Sequence, residues 1–511
     1  MKKKLIVVLC LAMALSLVLA GCTPKTPANQ GGNDPVAEKT QLTASVTADF
    51  DSIDPQIMLA SDTDRIMYNV YEGLAKCGKD GNVAPGLAES WTFDGNTFVF
   101  KIRQGVKFHD GSELTPEDVV YSFNRMCGKI ADDQSAVKQN LQEGIASVEK
   151  TGDWEVTMKL ASTNTAFESN LLVSIIKEGA GPTIVANPNG TGPYKLVSYE
   201  PGVGCTLEKH EDYWGEKANI DVINVKIYSD TTASLLAMQN GEIQMAGVTE
   251  SNKEMVPSTF NMEMMSNNTP ILVQVNCKEG VFSDVRVRQA LNYATDQQAL
   301  IDALVPGAEW VSGYLTKLQT FYQKDNTKMY PHDIAKANEL LAAAGYNESN
   351  KCAFDLMWFS NLSNWYESVC LVLKDQWDKT NFAVNLVDTD WSTFLSTVYS
   401  NPERKFDAAL FGYTGKLDPY SQFRRLQSTN KANIMMFSTP EYDDLLNQIM
   451  NTTDSSVKQK AYYRMQDIIA EEAVGVWLLD NYSYIALDKN YTGYTPYVIT
   501  FWDFSTIKKV N

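Results

Sequence analysis

Thr97 to Phe123 reads TFVFKIRQGVKFHDGSELTPEDVVYSF, and its parsing decides the class of fold. Thr97 to Ile102 alternates large apolar with smaller or charged side chains, the period-two pattern of a half-buried strand. Gly105-Val106-Lys107-Phe108-His109-Asp110-Gly111 follows as a turn rich in Gly and Asp. Thr115-Pro116-Glu117-Asp118 then carries the marks of a helix start. Thr115 serves as N-cap, Pro116 takes the first helical position, and two acids sit in the first turn. Val119, Val120 and Phe123 supply the buried side of that helix. A strand, a turn and a capped helix in succession predict α/β architecture.

Outward from this stretch the same punctuation recurs. Leu42 to Ala48 predicts a strand, followed by the turn Asp51-Ser52-Ile53-Asp54-Pro55. Thr269 to Cys277 and Ala383 to Val387 also predict strands. Ser283-Asp284 opens an Arg-rich helix through Val285, Val287, Ala290 and Leu291. Asp333 caps a run that stops at Ala344-Gly345, and Ser438-Thr439-Pro440-Glu441 begins a helix carrying Leu445, Leu446 and Ile449. No internal repeat is visible.

The N-terminus has its own logic. Met1-Lys2-Lys3-Lys4 is basic, Leu5 to Ala20 is apolar and uncharged, and the segment ends Leu19-Ala20-Gly21-Cys22. These are the three parts of a secretory signal, so residues 1–21 are expected to be removed. The apolar run falls short of the roughly 20 residues a bilayer crossing needs. Leu-Ala-Gly before Cys22 resembles a bacterial lipobox, which implies lipid on that thiol. Residues 22–40 hold Pro, Gly, Asn and Thr with almost no large apolar side chains. Such a segment cannot offset its own ordering entropy and is expected to act as a flexible, lipid-anchored leash. The expected location is the outer face of the bacterial cell membrane, held there through the lipid.

The rest of the chain is too long for one ordinary core, which argues for two or three lobes. The net charge is −18, and without the signal's three lysines it sits near −21. That acidity argues against nucleic acid as a partner and against binding to anionic lipid surfaces. Beyond Cys10 and Cys22, six cysteines remain (Cys77, Cys127, Cys205, Cys277, Cys352, Cys370) with no C-x-x-C spacing. Buried free thiols are the expected state, since a chain this large does not need disulfides.

Ordered blocks along the chain carry a resemblance. Tyr71-Glu72-Gly73-Leu74 precedes Pro85-Gly86-Leu87-Ala88-Glu89-Ser90-Trp91. Phe98 to Gly111 and Asp118 to Phe123 follow, then Gly190-Thr191-Gly192-Pro193-Tyr194 and Tyr213-Trp214-Gly215. Phe282-Ser283-Asp284-Val285-Arg286-Val287-Arg288-Gln289-Ala290-Leu291 and Ala342-Ala343-Ala344-Gly345-Tyr346 complete the set. Together they resemble the extracellular solute-binding proteins of family 5, the oligopeptide-, dipeptide- and nickel-binding subunits of ABC importers.

The resemblance implies a bilobal, class II periplasmic-binding-protein-like fold, its lobes joined by hinge strands and an extra β-rich subdomain in the first lobe. Lobe I would span 41–276, with the subdomain at 71–187, lobe II 277–489, and 490–511 would return to lobe I. A short peptide would be enclosed by hinge closure and delivered to an ABC permease and ATPase complex. The protein would act as a monomer, with no cofactor and no catalysis.

In peptide-binding relatives a lobe II segment supplies main-chain and aromatic contacts and an Asp for the peptide ammonium. The matching stretch is Phe411-Gly412-Tyr413-Thr414-Gly415-Lys416-Leu417-Asp418-Pro419. Gly412, Tyr413 and Thr414 fall on contact positions, and Lys416 falls where the Asp is expected. A cation there would repel an ammonium. Three readings stay open. Asp418 takes over the ammonium, main-chain contacts alone hold the peptide, or the ligand is an anionic or neutral polar solute such as an oligosaccharide.

Other classes have weaker support. A directly bound metal needs several converging ligands, and His109, His210 and His332 are far apart in sequence. His109 is expected to satisfy its turn. A surface hydrolase would need a nucleophile elbow or a zinc-binding helix, and neither motif is present. Ser147-x-x-Lys150 and Ser455-x-x-Lys458 lack the companion motifs of Ser-Lys enzymes. Trp358, Trp365, Trp391 and Trp477 are expected in cores more than in a cleft.

Overall fold

Ten strands form one large mixed sheet, and its order explains how the chain is divided. The computed structural model describes residues 39–78, 81–323, 325–359, 365–400, 403–415, 417–497, 499 and 501–510. The signal, Cys22 and Lys416 lie outside them, as does all of the leash but its last two residues. Residues 40–511 form one compact unit. Across the sheet the order is Phe382–Thr389, Cys352–Phe359, Ala408–Gly412, Phe260–Val275, Val476–Asp488, Met245–Val248, Gln41–Val46, Val222–Ile227, Gly204–Lys209 and Tyr194–Glu200.

Two of these strands are much longer than the rest. Phe260–Val275 and Val476–Asp488 pair antiparallel along their length. At one end Val476–Asp488 pairs with Met245–Val248, and at the other Phe260–Val275 pairs with Ala408–Gly412. Met265, Ile485 and Leu487 feed a core with Leu42, Ala44 and Tyr194. Ile271, Val273, Leu478 and Leu479 feed a separate core with Phe354, Trp377 and Leu410. The same two strands therefore cross between two hydrophobic cores. Expectation and structure differ on the first of them, since Thr269 to Cys277 covers only its second half. Its first half is mostly exposed on both faces, with Met262 and Met264 at the surface, so no buried alternation marks it.

A second sheet, ordered Ala88–Phe93, Thr97–Ile102, Glu155–Leu160 and Ile145–Gly152, builds the β-rich region. Helix Pro116–Met126 begins where its sequence marks it. The Asp118 carboxylate accepts hydrogen bonds from the Thr115 N–H at 2.7 Å and the Thr115 hydroxyl at 2.8 Å. Val119 and Phe123 pack on Phe98, Phe100 and Ile102 in one core. The later caps hold too: Asp284, Asp333 and Thr439 each accept a backbone N–H at a helix start. Cys77, Cys127, Cys205, Cys277, Cys352 and Cys370 are free thiols, and all but the half-buried Cys277 are buried.

Candidate functional site

The crossing strands are interrupted where they pass from one core to the other. Their register shifts between Ser266 and Pro270, and Asn268 there takes φ 49°. Asp480, opposite the break, is buried. It accepts hydrogen bonds from the Ser266 hydroxyl and from the Thr269 N–H at 2.9 Å. Burial pushes its carboxyl up to about 6, against the pull of those two donors.

The sign of the resulting pH dependence follows. A carboxyl raised in the folded state favours the protonated form, so its stabilising contribution is full below the unfolded value and lost as pH rises. The window runs from about 4, the ordinary Asp value, to about 6. Asp480→Asn is expected to flatten the change in unfolding midpoint across that window relative to the native chain. Parallel pH profiles for the two proteins would count against this account of the break.

The loop that follows Ala408–Gly412 is tied to the same break. The Tyr413 N–H donates to Pro270 O at 3.2 Å and the Gly415 N–H to Asn268 O at 2.5 Å. A Cβ at Gly412 would lie 2.5 Å from Ile271 Cδ1, and one at Gly415 would lie 2.3 Å from Asn268 Nδ2. Glycine is required at both positions by close approach.

Tyr413 turns its ring into a further core, with Tyr314, Phe423 and Trp477. There its hydroxyl donates to Gln274 Oε1 and the Arg425 guanidinium lies 4.1 Å from the ring centroid. Thr414 is exposed, and its carbonyl accepts from Gln422 Nε2 at 2.9 Å. Asp418 caps helix Tyr420–Phe423, accepting from the Tyr420 N–H at 3.0 Å and the Ser421 N–H at 3.2 Å. Burial pushes the Asp418 carboxyl up to about 7, with the Lys458 ammonium opposing it.

Leu417 extends from this loop to residues far away in sequence. It packs on Cys77, Tyr497 and Phe501, alongside Tyr68 and Leu172. Behind that contact lies a cavity of about 410 Å³. Tyr68, Tyr71, Trp214, Tyr497 and Phe501 form aromatic walls, with Tyr68 and Phe501 stacked at 3.7 Å between centroids. Asp64, Glu72, Glu216, Asp503 and Lys76 supply its charges.

Glu72 joins three of the sequence blocks. Its carboxylate accepts from the Thr191 hydroxyl at 2.9 Å, the Tyr213 hydroxyl at 2.8 Å and Trp214 Nε1 at 2.9 Å. Burial pushes this carboxyl up, against three donors. The Tyr-Glu-Gly-Leu, Gly-Thr-Gly-Pro-Tyr and Tyr-Trp-Gly blocks thus converge on one carboxylate, a role that sequence reading did not assign to Glu72.

His109 and His210, distant in sequence, meet edge to face at 4.9 Å. His109 Nδ1 accepts the Gly190 N–H at 3.3 Å, which leaves Nε2 protonated to donate to Gly192 O at 3.1 Å. His210 Nδ1 lies 3.2 Å from the same carbonyl. Both rings therefore hold the turn at Gly190–Gly192, and burial pulls His109 down to about 3. His332 is exposed and apart from them. Among the described residues, no group of three or more His, Cys, Asp or Glu is placed to hold a metal. Trp358 and Trp477 are core residues, whereas Trp365 and Trp391 are half-buried.

Comparison with known proteins agrees with this architecture. Residues 82–433 match the model of the bacterial extracellular solute-binding proteins, family 5 Middle. Heme-binding protein A of Haemophilus influenzae is 27% identical over 527 aligned positions, covering 94% of this chain and 95% of that protein. The oligopeptide-binding protein AppA of Bacillus subtilis is 27% identical over 540, covering 96% of each. The crystal structure of the ABC transporter substrate-binding protein CtaP from Listeria monocytogenes superposes with a TM-score of 0.82 at 26% identity, covering 93% of this chain and all of that one. Two cores bridged by a broken strand pair, and signature blocks gathered on Glu72 and the Gly190 turn, are what that relationship spans: the chain belongs to the bacterial extracellular solute-binding proteins of family 5.

Proposed function

We propose that this chain is the substrate-binding lipoprotein of an ABC importer, anchored through Cys22 outside the cytoplasmic membrane, and that it captures short peptides. Lobe I comprises 41–276 and 490–511, with its β-rich subdomain at 71–187, and lobe II comprises 277–489. The protein is a monomer that closes about the strand break and presents the closed form to a permease and ATPase pair. The observation that carries this reading is the anchoring of the Gly412–Asp418 loop on that break, opposite the aromatic cavity. A loop fixed to the hinge moves with closure, so ligand contact and lobe position are coupled.

Gly412, Tyr413, Thr414, Lys416 and Asp418 remain the proposed ligand segment. The capping bonds of Asp418 and the burial of Tyr413 favour main-chain contact there over side-chain anchoring. The oligopeptide-binding name of the Bacillus subtilis relative supports a peptide as solute.

The test is thermal unfolding of residues 23–511 after partial unfolding and dialysis, against pools of short peptides, their N-acetylated forms, oligosaccharides and haem. A ligand at 100 times its Kd stabilises by about 2.7 kcal/mol, a readable shift. Stabilisation by peptides is the expected result. A shift with sugars or haem and none with peptides would replace the proposed solute while leaving the transport role in place.

A further inference from the structure

Thr165 follows strand Glu155–Leu160 of the β-rich region, yet its N–H, hydroxyl and carbonyl all bond outside that region. The N–H donates to Met450 O at 3.2 Å and the hydroxyl to Ile449 O at 2.7 Å. The carbonyl accepts Lys458 Nζ at 2.9 Å. Thr165 is only 7% exposed. Ile449 and Met450 end helix Pro440–Met450, and Lys458 lies near the start of helix Ser455–Glu471. Both helices pack into the core that holds Tyr413, through Tyr442, Leu446, Ile449 and Tyr462.

Each side of this contact is shaped without the other. Asn164 fixes the turn from within the β-rich region. Its N–H donates to Gly95 O at 3.0 Å, its side-chain oxygen accepts the Ala166 N–H at 3.0 Å, and its carbonyl accepts the Phe167 N–H at 3.3 Å. Phe167 in turn packs in the core of Phe98 and Phe100. On the opposite side a helix ends in carbonyls that have no donor within the helix. Thr165 brings two donors to those carbonyls. Both surfaces keep their form when apart, and water can replace each bond, so the contact is reversible.

Lys458 ties the contact to the loop after Gly412. Burial pulls its ammonium down, and the carboxylates of Asp418 and Glu168 oppose that pull. Asp418 belongs to the loop and Glu168 to the β-rich region, so the lysine answers to an acid from each side. Ser455-x-x-Lys458, which matches no Ser-Lys enzyme, thereby has a place in the fold.

We propose that Thr165 is a latch between the lobes, engaging the end of helix Pro440–Met450 and Lys458 and holding the closed form without help from solute. The inference rests on the reading of 41–276 and 277–489 as lobes that close about the strand break. It adds that the protein's own groups stabilise closure, so an enclosed solute is held more tightly by the same factor.

Amide hydrogen exchange on residues 23–511, with no solute added, reads the latch directly because the Thr165 N–H is one of its bonds. Asn164, held on Gly95 O, is the internal reference. Thr165→Val and Lys458→Met each keep the backbone amides and remove one bond of the contact. Each is expected to speed exchange at position 165 about fivefold, the scale of one hydrogen bond. Position 164 and the unfolding midpoint should stay nearly unchanged. Lys458→Met touches neither the amide nor the hydroxyl of Thr165, so it remains informative if Thr165→Val disturbs the turn. Small-angle X-ray scattering of the same three proteins shows whether an expanded form is populated. Positions 164 and 165 speeding together would mark a structural turn and overturn the latch. An amide at 165 unprotected in the native chain also overturns it. An expanded form in the native chain, with neither variant speeding position 165, overturns the latch and leaves closure standing. No expanded form in any of the three, with position 165 exchanging only through global unfolding, overturns both readings together.

Discussion

Arg125→Met is expected to lower stability by about 3–5 kcal/mol at neutral pH, the cost of leaving buried charges without their partner. Arg125 is 1% exposed. Its Nη2 donates to Asp54 Oδ2 at 2.6 Å and its Nε to Asp133 Oδ2 at 2.5 Å. Nη1 donates to Gln56 Oε1 at 2.9 Å, and Nη2 reaches the Ser135 hydroxyl at 3.1 Å. One guanidinium therefore ties the Asp54-Pro55 turn, helix Pro116–Met126 and the segment 133–135 together. Burial acts to raise the Asp133 carboxyl, but the Arg125 and Ser135 hydrogen bonds and the Arg125 charge hold it below the usual carboxylate range.

Removing the cation strands two carboxylates that have almost no access to water. Methionine fills much of the volume, so the loss reports charge more than cavity. The urea midpoint of Arg125→Met should recover part of its deficit as pH falls toward the carboxylate range, because protonation removes the stranded charge. It should also recover in the triple variant with Asp54→Asn and Asp133→Asn. A midpoint equal to that of the native chain would show that solvent reaches these carboxylates.

Gly190→Ala is expected to cost about 3 kcal/mol, at the upper end of overpacking effects. A Cβ there would lie 1.9 Å from the Val70 carbonyl oxygen, and the neighbouring Gly192 would place one 2.4 Å from Asn69 O. These are backbone atoms, so no side chain can swing aside. The same turn accepts the His109 N–H on Gly190 O at 2.9 Å, and both imidazoles lie against Gly192 O. Pushing the turn outward therefore also disturbs the Thr191 hydroxyl on Glu72, and with it the floor of the cavity.

Gly247→Ala is the matched control, since nothing lies within 4 Å of its Cβ position. Equal unfolding midpoints for the two alanine variants would sink the close-approach argument. A large loss confined to Gly190→Ala would support it.

Local signals were strongest where the sequence carries caps and period. Thr115-Pro116, Asp284, Asp333 and Thr439 each start a helix where their side chains can satisfy free backbone N–H groups, an interaction complete within a few residues. Thr97–Ile102 alternates because one face meets a single core. The first half of Phe260–Val275 has no such face and gave no local sign of a strand. Its partner is Val476–Asp488, more than two hundred residues away, so only the assembled sheet defines it.

The site divides along the same line. Gly412 and Gly415 could be picked out as a loop, but their need for glycine comes from Ile271 and Asn268 across the strand break. Tyr413 reads as a ligand contact and lies buried in the core with Tyr314 and Trp477. Asp418 reads as a candidate anchor and is also a helix cap. His109 and His210 carry no shared spacing, yet both serve one carbonyl. Glu72 was visible as part of a signature block and invisible as the point where three blocks meet.

By itself the sequence determined the α/β class, the helix starts and the family, because each is written in neighbouring residues or in ordered blocks. Tertiary structure alone decided where the two cores divide, which strands cross between them, and which carboxylates and aromatic rings share a cavity. Those features depend on contacts between segments far apart in the chain, whose distances no local pattern encodes.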